Sequence, residues 1–442
     1  MSDRLLIVAP AAFPLGGLAT WLDGLMPGLA RRGWDVTLAL PEGRTYSLDA
    51  YLERHPWASV VRFRNASGSP IGRRRAVGGL LRSVETDVVL SVNFPEIYAS
   101  ALDASAKGYR VPAIVASLHG FVPGILDDLA RFRAAITAVI GTNRLACSAV
   151  EVLSGFERDR IFHAPYGVEI GPLPSDSGSE ACRDLDLVWA GRLEEAQKRV
   201  SDLPRLAASL DRRGLDWTLE IAGSGPEEDS IRNALSGDPR VRFTGDLPAE
   251  ELRSRSLRPE RVLLITSEWE TGPIIAWEAM ERGMVVVSSR FLGCDAEGIL
   301  EDEVNAILFR VGDVEGAAER LAALSRDSRR IAAMSSAARS TAEERCSLAR
   351  SIDAWDRALR AARALAPPSF EYSAPEAEPS GRLERIFGAA GSRVVRRLLR
   401  RPVRAVDSGD EWPHRYGGGM PWVELVAELR AIERDLAERR RS

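Results

Sequence analysis

The sequence predicts two α/β domains in tandem, each built on a parallel sheet, followed by a helical C-terminal tail. The chain has 442 residues, and a single hydrophobic core rarely grows beyond about 250–300 residues. Short β-branched runs alternate with helical patterns in two separate series, which is typical of parallel α/β sheets. A segment rich in Gly, Pro, Ser and Asp, at 171–183, separates the series. We therefore expect Rossmann-like domains at 1–175 and 176–350.

Each predicted element starts from an apolar run. The first series predicts a helix over about 18–32 and strands at 4–10, 34–40, 87–92, 112–120 and 144–149. The second series predicts strands at 184–191, 217–223, 241–245, 261–266 and 284–289. A helical pattern then covers about 347–365, and a Pro- and Glu-rich stretch at 367–381 predicts a disordered linker. The tail, 382–442, contains two further helical patterns.

Composition narrows the class of protein. The chain is 45% hydrophobic and 28% charged, as in soluble globular proteins, and no apolar run reaches the ~18 residues that a membrane-spanning helix needs. Its N-terminus is typical of a buried strand and not of a leader, so we expect a cytoplasmic protein. The net charge of −4 does not favour nucleic acid as a partner. Four cysteines without paired spacing predict neither a zinc site nor a disulfide framework.

A glycine-rich turn follows the first predicted strand. Gly16 and Gly17 open the helix that begins near Leu18, where backbone N–H groups can hold a phosphate. The turn lacks the G-x-G-x-x-G pattern of dinucleotide-binding domains, which disfavours a nicotinamide enzyme. A tight turn without a ligand is the alternative interpretation.

Two cations follow the first strand of the second series. Arg192 and Lys198 lie at the carboxyl end of that strand, where open α/β sheets bind ligands. Among the 59 Lys and Arg residues only Lys107 and Lys198 are lysine, so a lysine here stands against a strong bias. Two fixed cations suit a diphosphate leaving group. The alternative is a pair of solvated surface charges.

The segment EWETGPIIAWEAM (268–280) places two carboxylates around a predicted helix start. Pro273 suits the first turn of a helix, so we expect the helix to begin there and to leave the N–H groups of 271–275 free. Glu270 would precede the helix and Glu278 would lie two turns inside it. Because carboxylates accept hydrogen bonds from vicinal hydroxyls, the pair could hold two sugars on either side of a diphosphate, roughly 12 Å apart at helical rise.

His119 is the last candidate. It ends the fourth predicted strand of the first series, again at the carboxyl end. A lone histidine is often a structural residue, but this position places it on the ligand side of the sheet.

Together these motifs resemble the retaining glycosyltransferases of family 4, which have the GT-B fold. The resemblance covers roughly residues 4–365 and rests on an ordered set of motifs. The set comprises the glycine turn at 14–17, LHG at 118–120, APYGVEI at 164–170, GRL…K at 191–198, AGSGP at 222–226, FTG at 243–245 and the two glutamates at 270 and 278. It implies two sheets that face each other across a cleft, and a helix at 351–366 that crosses back to the first domain.

The resemblance also implies the chemistry. Such enzymes move a sugar from a nucleotide diphosphate sugar, here expected to be a UDP- or GDP-sugar, with retention of configuration and without a metal or other cofactor. It implies that Arg192 and Lys198 stabilise the departing diphosphate, that Glu278 binds the ribose, and that His119 lies beside the donor sugar. The further expected donor contacts are Gly16, Gly17, Glu270, Thr271, Gly272, Pro273, Ile274 and Ile275. Catalysis would then depend on positioning and charge stabilisation.

Three positions depart from the family pattern. The chain has ETGP at 270–273 where E-G-F-G is usual, Tyr166 where asparagine is usual, and one extra residue between Arg192 and Lys198. These departures bear on the identity of the donor. The acceptor, expected to be a glycan or a lipid-linked molecule, would meet first-domain loops around 93–98 and 121–126.

The tail carries a separate signal. The stretch 382–404 has apolar residues at helical period and arginines on its other side, a pattern that lets a helix lie on an anionic membrane surface. Peripheral attachment to the inner face of the membrane would follow. The alternative is an arginine-rich helix packed on its own protein.

Two other functions stay open at the level of sequence. A nucleotide-sugar epimerase would need further acid–base groups, and only His119 among the four histidines is well placed. A non-catalytic nucleotide-sugar-binding scaffold would have no need of Arg192, Lys198, Glu270 and Glu278 together. Turnover of a donor separates an enzyme from a scaffold.

Overall fold

Two parallel sheets form the framework of the computed structural model, which describes residues 3–11, 16–42, 47–65, 70–173, 185–366, 382–399 and 419–441. The strands of the first sheet are β1 (Asp3–Val8), β2 (Trp34–Pro41), β3 (Val60–Phe63), β4 (Val88–Val92), β5 (Ala113–Leu118), β6 (Ala138–Gly141) and β7 (Ile161–His163). Those of the second are β8 (Leu185–Ala190), β9 (Trp217–Ala222), β10 (Val241–Gly245), β11 (Val262–Ile265), β12 (Val285–Ser289) and β13 (Ala306–Phe309). Within the described ranges every strand pair is parallel. The predicted α/β class is confirmed.

Helices connect the strands and continue into the tail. The first-domain helices are α1 (Gly17–Arg31), α2 (Leu48–Arg54), α3 (Pro70–Ser83), α4 (Glu96–Ala106), α5 (Pro123–Arg131) and α6 (Arg144–Ser154). Those that follow β8 are α7 (Glu195–Lys198), α8 (Asp202–Arg212), α9 (Glu228–Ala234), α10 (Ala249–Glu251), α11 (Ile274–Glu281), α12 (Cys294–Glu297), α13 (Val314–Ser325), α14 (Ser328–Arg345) and α15 (Leu348–Ala364). The tail helices are α16 (Arg382–Leu398) and α17 (Trp422–Arg441).

One predicted strand is wrong. Residues 144–149 lie in helix α6, because Asn143 caps its N-terminus by accepting a hydrogen bond from the Ala146 N–H at 2.7 Å. The short runs that form β3, β6, β7 and β13 were not predicted, and β3 makes β5, the strand before His119, the fifth of its sheet. Runs of three or four residues carry too little periodicity to be distinguished from loops.

Strand order brings the candidate residues to one edge of each sheet. The first sheet runs β3-β2-β1-β4-β5-β6-β7 and the second runs β10-β9-β8-β11-β12-β13. In each, the order reverses between two neighbouring strands, β1 and β4 in the first and β8 and β11 in the second. Open α/β sheets bind ligands beyond the carboxyl ends of strands at such a reversal. The loops after β1, β8 and β11 are the ones that carry the predicted site.

Two chain segments cross between the sheets and bond to each other. The first follows β7 at residues 164–173, and the second joins α14 to α15. The Val168 N–H donates to the Cys346 carbonyl at 2.8 Å, and the Leu348 N–H donates to the Val168 carbonyl at 2.7 Å. Helix α15 then packs on α1, where the absence of a side chain at Gly28 makes room for Ile352. The predicted boundary at 175/176 and the predicted linker 367–381 lie outside the described residues.

Buried Glu281 anchors the end of the first crossing segment. Its Oε1 accepts hydrogen bonds from the Gly171 N–H at 3.0 Å and from Arg339 Nη1 at 2.9 Å. Arg339 also donates to the Gly171 carbonyl at 2.7 Å. The carboxylate is fully buried, and these bonds offset the cost of removing it from water.

The tail helices differ from the prediction in one respect. Helix α16 ends at Leu398 and is interrupted at Gly388, whose φ of 65° is not helical. It is therefore two helical pieces with a kink. None of the described helices is long and apolar enough to cross a membrane.

The contact between the crossing segments predicts a sensitive glycine. A Cβ on Gly167 would lie 2.7 Å from the Ser347 carbonyl oxygen and 2.8 Å from the Leu348 Cα. We expect Gly167→Ala to lower the free energy of unfolding by about 1–3 kcal/mol, because backbone must move to admit the methyl group. Gly79→Ala, in α3 with open space around it, is the control and should leave stability unchanged or raise it slightly. Equal urea midpoints for Gly167→Ala and the wild type would contradict this reading of the crossing.

Candidate active site

The N-termini of two helices, one from each domain, face each other. A Cβ on Gly17, the first residue of α1, would lie 3.8 Å from Cδ1 of Ile274, the first residue of α11. Gly16 has a φ of 114°, which side chains rarely adopt, so the turn before α1 requires glycine. Helix N-termini carry partial positive charge and unpaired N–H groups. The polarity of these two helix starts favours an anion near them.

Helix α11 begins slightly later than predicted. Pro273 is its N-cap, and the helix runs from Ile274 to Glu281. The residues between Glu270 and Pro273 are not helical, so the helical-rise figure of ~12 Å between the two glutamates does not apply. Gly272 has a φ of 137°, and a Cβ there would lie 2.7 Å from Cδ2 of Tyr166.

The backbone ahead of α11 is available to a ligand. Among the described residues, no acceptor faces the N–H groups of Thr271, Gly272, Ile274 or Ile275. A free run of amides at a helix start is suited to bind an oxyanion or sugar hydroxyl oxygens.

Glu270 is held by three side chains. Its Oε1 accepts hydrogen bonds from Lys198 Nζ and from Ser267 Oγ, both at 2.6 Å, and its Oε2 accepts from Gln197 Nε2 at 3.1 Å. The structure thus brings the predicted Lys198 and Glu270 together as a partly buried ion pair. Ser267 and Gln197 were not predicted, although both stand within three residues of a predicted site residue.

Lys198 and Arg192 are placed by neighbouring backbone. The Lys198 carbonyl accepts a hydrogen bond from Thr266 Oγ1 at 2.6 Å, which ties the end of α7 to the loop after β11. The AGSGP loop supports the Arg192 loop: a Cβ on Gly223 would lie 1.9 Å from the Gly191 carbonyl oxygen. The Arg192 side chain is exposed and has no ion pair with the described part of the chain. Its guanidinium is free to bind an anion.

Glu278 is buried without a partner. Its side chain lies in α11, the residue is 8% exposed, and no hydrogen bond or ion pair joins its carboxylate to another described residue. Burial raises the pKa of Glu278 to about 7; the more distant Arg253 opposes the rise and Glu281 adds to it. An unpaired buried carboxylate is costly unless a ligand supplies donors.

His119 is enclosed on both sides. Its Nδ1 lies 2.6 Å from Tyr166 Oη and its Nε2 lies 2.8 Å from Ser117 Oγ. Because the Ser117 hydroxyl donates to the Ser91 carbonyl, it accepts from His119, which fits the neutral Nε2–H tautomer. Both ring nitrogens are then occupied within the protein. Trp21 packs on the ring with centroids 4.5 Å apart.

Three contacts join the domains beside Glu270. Asn143 Nδ2 donates to the Glu270 carbonyl at 3.3 Å, and Thr271 Oγ1 donates to the His119 carbonyl at 3.0 Å. The Trp269 ring packs edge-on against Phe121, with centroids 6.1 Å apart. Sequence reasoning missed Asn143, because the segment after it was read as a strand and not as the helix that it caps.

The candidate site residues offer unpaired backbone N–H groups, the cations Arg192 and Lys198, and the carboxylates Glu270 and Glu278. No group of three or more His, Cys, Asp or Glu side chains in the described ranges could hold a metal ion. Groups of these kinds are chemically suited to an anion and to ligands that carry hydroxyl groups.

Comparison with known proteins shows a family match in the second domain and a similar fold over most of the chain. Residues 184–327 match the family model described as glycosyl transferases group 1. No curated protein matches the chain. Among solved structures, HepE of Anabaena in complex with UDP has a TM-score of 0.65 at 18% identity, over 81% of this chain and 99% of its own.

Two further structures have the same fold. The lipopolysaccharide outer core galactosyltransferase WaaB has a TM-score of 0.60 at 16% identity, over 81% of this chain and 99% of its own. The sucrose-phosphate synthase of Thermosynechococcus elongatus has a TM-score of 0.63 at 15% identity, over 81% and 100%. The second domain thus matches the group 1 glycosyltransferase family model, and the chain shares the GT-B fold of these solved structures.

Proposed function

We propose that the protein transfers a sugar, with retention of configuration, from a UDP- or GDP-sugar to a glycan or lipid-linked acceptor. In this proposal it serves polysaccharide or glycolipid biosynthesis, and catalysis depends on positioning and on stabilising the departing diphosphate without a metal. The observation that carries the proposal is the buried Glu278 carboxylate, which has no hydrogen-bond or ion-pair partner among the described residues.

The ribose of the donor would supply the hydrogen bonds that the Glu278 carboxylate lacks. Two vicinal hydroxyls can donate to one carboxylate, which supplies the hydrogen bonds that the described protein does not. Glu278 lies inside α11, whose N-terminus faces Gly17. A nucleoside bound there would direct its diphosphate toward the two helix starts.

The diphosphate would be held by donors of both kinds. Backbone N–H groups come from Gly17 and from the start of α11, and the charged donors are Arg192 and Lys198. The Lys198 ammonium uses one hydrogen on Glu270, so two remain for phosphate oxygens. As the bond to the sugar breaks, negative charge grows on the leaving oxygen and these contacts strengthen.

The donor sugar would lie beside Glu270 and the amides of Thr271, Gly272 and Ile275. Glu270 is already oriented by Lys198, Gln197 and Ser267, so little ordering cost remains for binding. His119 would support the sugar site through its ring face and its carbonyl, which Thr271 already contacts.

The similar structures favour a uridine donor. HepE of Anabaena has been solved with UDP, with UDP and glucose, and with UDP-glucose. The S. aureus protein TarM, with a TM-score of 0.64 at 11% identity, was solved with UDP and α-GlcNAc-glycerol.

Donor binding and turnover test the proposal. We expect one of UDP, GDP and ADP, or one of their sugar conjugates, to raise the thermal midpoint selectively without added metal, because a ligand of the folded state stabilises it. Lys198→Gln keeps a hydrogen-bond donor to Glu270 but loses the charge, so donor turnover should fall about 10²–10³-fold. The control is Lys107→Ala, which changes the other lysine, an exposed residue after α4.

The outcomes separate the candidate functions. Binding without turnover in the wild type would favour the scaffold, and interconversion of the donor sugar would favour the epimerase. Equal turnover in Lys198→Gln and the wild type would remove Lys198 from the site. A selective midpoint shift together with loss of turnover in that variant alone supports the transferase.

We further propose that α16 binds an anionic membrane surface. Its exposed apolar side chains include Ile386 at 69% and Leu398 at 78% exposure, with Phe387 and Val394 also exposed. Arg382 and Arg397 are exposed on the same helix. Apolar side chains that enter the headgroup region and arginines that meet anionic lipids form one complementary surface. Such attachment would suit a lipid-linked acceptor at the inner face of the membrane.

Vesicle binding tests this surface. We expect Ile386→Ser/Phe387→Ser to weaken sedimentation with vesicles containing phosphatidylserine about tenfold, because two apolar side chains that would enter the membrane are lost. Val152→Ser, which removes an equally exposed apolar residue from α6, should leave binding unchanged. The surface is refuted if the double variant sediments like the wild type, or if the wild type binds neutral and anionic vesicles equally.

A further inference from the structure

The C-terminal helix α17 bridges the two domains. Leu425 and Leu429 are fully buried and belong to the same apolar cluster as Leu145 of α6 and Leu292 of the loop after β12. Helix α17 therefore packs on a first-domain helix and on a second-domain loop at once. Its position is fixed by packing and not only by its chain connection.

A carboxylate of this helix reaches the backbone of the second domain. Glu433 Oε1 accepts hydrogen bonds from the Gly293 N–H at 2.8 Å and from the Asp295 N–H at 3.2 Å. The residue is 9% exposed. Burial raises the pKa of the Glu433 carboxyl, while the backbone N–H groups of Gly293, Asp295 and Ala296 oppose that rise. Burial of this carboxyl is compensated by the loop that it holds.

That loop is bonded directly to the Glu270 segment. The Glu270 N–H donates to the Leu292 carbonyl at 3.2 Å, and the Leu292 N–H donates to the Glu268 carbonyl at 2.9 Å. A Cβ on Gly293 would lie 2.5 Å from the Glu270 carbonyl oxygen. Because the Gly293 backbone lies so close to the Glu270 carbonyl, a displacement of Gly293 would also displace Glu270.

A second part of α17 contacts the same segment. Arg430 Nη2 lies 3.4 Å from Glu268 Oε1, and the Trp422 and Trp269 ring centroids are 6.2 Å apart. Helix α17 thus contacts both residues that immediately precede Glu270, in addition to the loop behind it.

We propose that α17 is a brace that sets the position of the donor-sugar loop, and that Glu433 is a positioning residue for transfer. The inference deepens the proposed function and rests on it. Glu433 acts on the sugar end of the donor through Gly293, Leu292 and Glu270. Among the described residues, no hydrogen bond or ion pair joins α17 to Glu278 or Arg192, at the nucleotide end.

Comparison of Glu433→Ala and Glu433→Gln with the wild type separates a positioning role for Glu433 from an effect on folding stability alone. In Glu433→Ala we expect the Kd for the nucleoside diphosphate to stay within about twofold of the wild-type value. Donor turnover should fall about tenfold, because the hydrogen bonds from the backbone N–H groups of Gly293 and Asp295 are lost. The ratio of the Kd for the nucleoside diphosphate to the Kd for the nucleotide sugar should fall by the same factor as turnover. Glu433→Gln retains an acceptor oxygen and should recover most of the turnover. Glu428→Ala, at an exposed position of α17, is the matched control.

Three outcomes would overturn the inference while the proposed function stands. These are wild-type turnover in Glu433→Ala, an equal loss of nucleoside diphosphate and nucleotide-sugar affinity, and a Glu433→Gln variant as impaired as Glu433→Ala. All measurements are made below the unfolding midpoint of each variant, so that partial unfolding does not imitate a loss of turnover. If the wild type binds no nucleotide sugar, the proposed function itself fails.

Discussion

Burial of carboxylates between the two domains is the constraint on which the rest of the structure depends. A buried carboxylate must be paired, hydrogen-bonded or protonated, because removal from water costs several kcal/mol. Glu281 meets this demand with Gly171 and Arg339, Glu270 with Lys198, Ser267 and Gln197, and Glu433 with the N–H groups that it accepts. Glu278 has no such compensation within the described chain.

Another paired carboxylate, Glu297, joins the two domains directly. Glu297 of the second domain accepts hydrogen bonds from His163 at 2.6 Å and from the Arg144 N–H at 3.0 Å. Burial would raise the pKa of Glu297, yet His163 and Arg144 hold it below its usual value. With Asn143 on Glu270 and Thr271 on His119, these contacts fix the two helix starts opposite each other. The site exists because the domains meet in this arrangement.

The sequence predicted the candidate site residues better than the contacts that hold those residues in place. Ligand-side positions followed from strand ends, since parallel strands bring their carboxyl ends to one edge of a sheet, and the structure brings two of the predicted residues, Lys198 and Glu270, into direct contact. Their expected roles stay predictions. What escaped were contacts between residues far apart in the chain, such as Asn143 with Glu270.

Local pattern predicts the tail helices but not their contacts or the kink in α16. An amphipathic repeat distinguishes α17 from a loop, but it does not reveal which surface the apolar stripe covers. Leu425 and Leu429 pack between two domains whose arrangement no local pattern encodes. In α16 the repeat is genuine, yet Gly388 breaks the helix, since glycine readily adopts a positive φ.

The most direct test is the stability of Glu278→Gln against pH, measured together with its affinity for the nucleoside diphosphate. A folded-state pKa near 7, above the ordinary value of 4.5, means that the folded protein loses stability as pH rises between these values. We therefore expect the variant to match the wild type near pH 4.5 and to be more stable by roughly 1–3 kcal/mol near pH 8. Its nucleotide affinity near pH 8 should be at least about tenfold weaker. A variant that is less stable near pH 8, or that binds the nucleotide as the wild type does, would contradict the account that Glu278 is kept unpaired for the ribose.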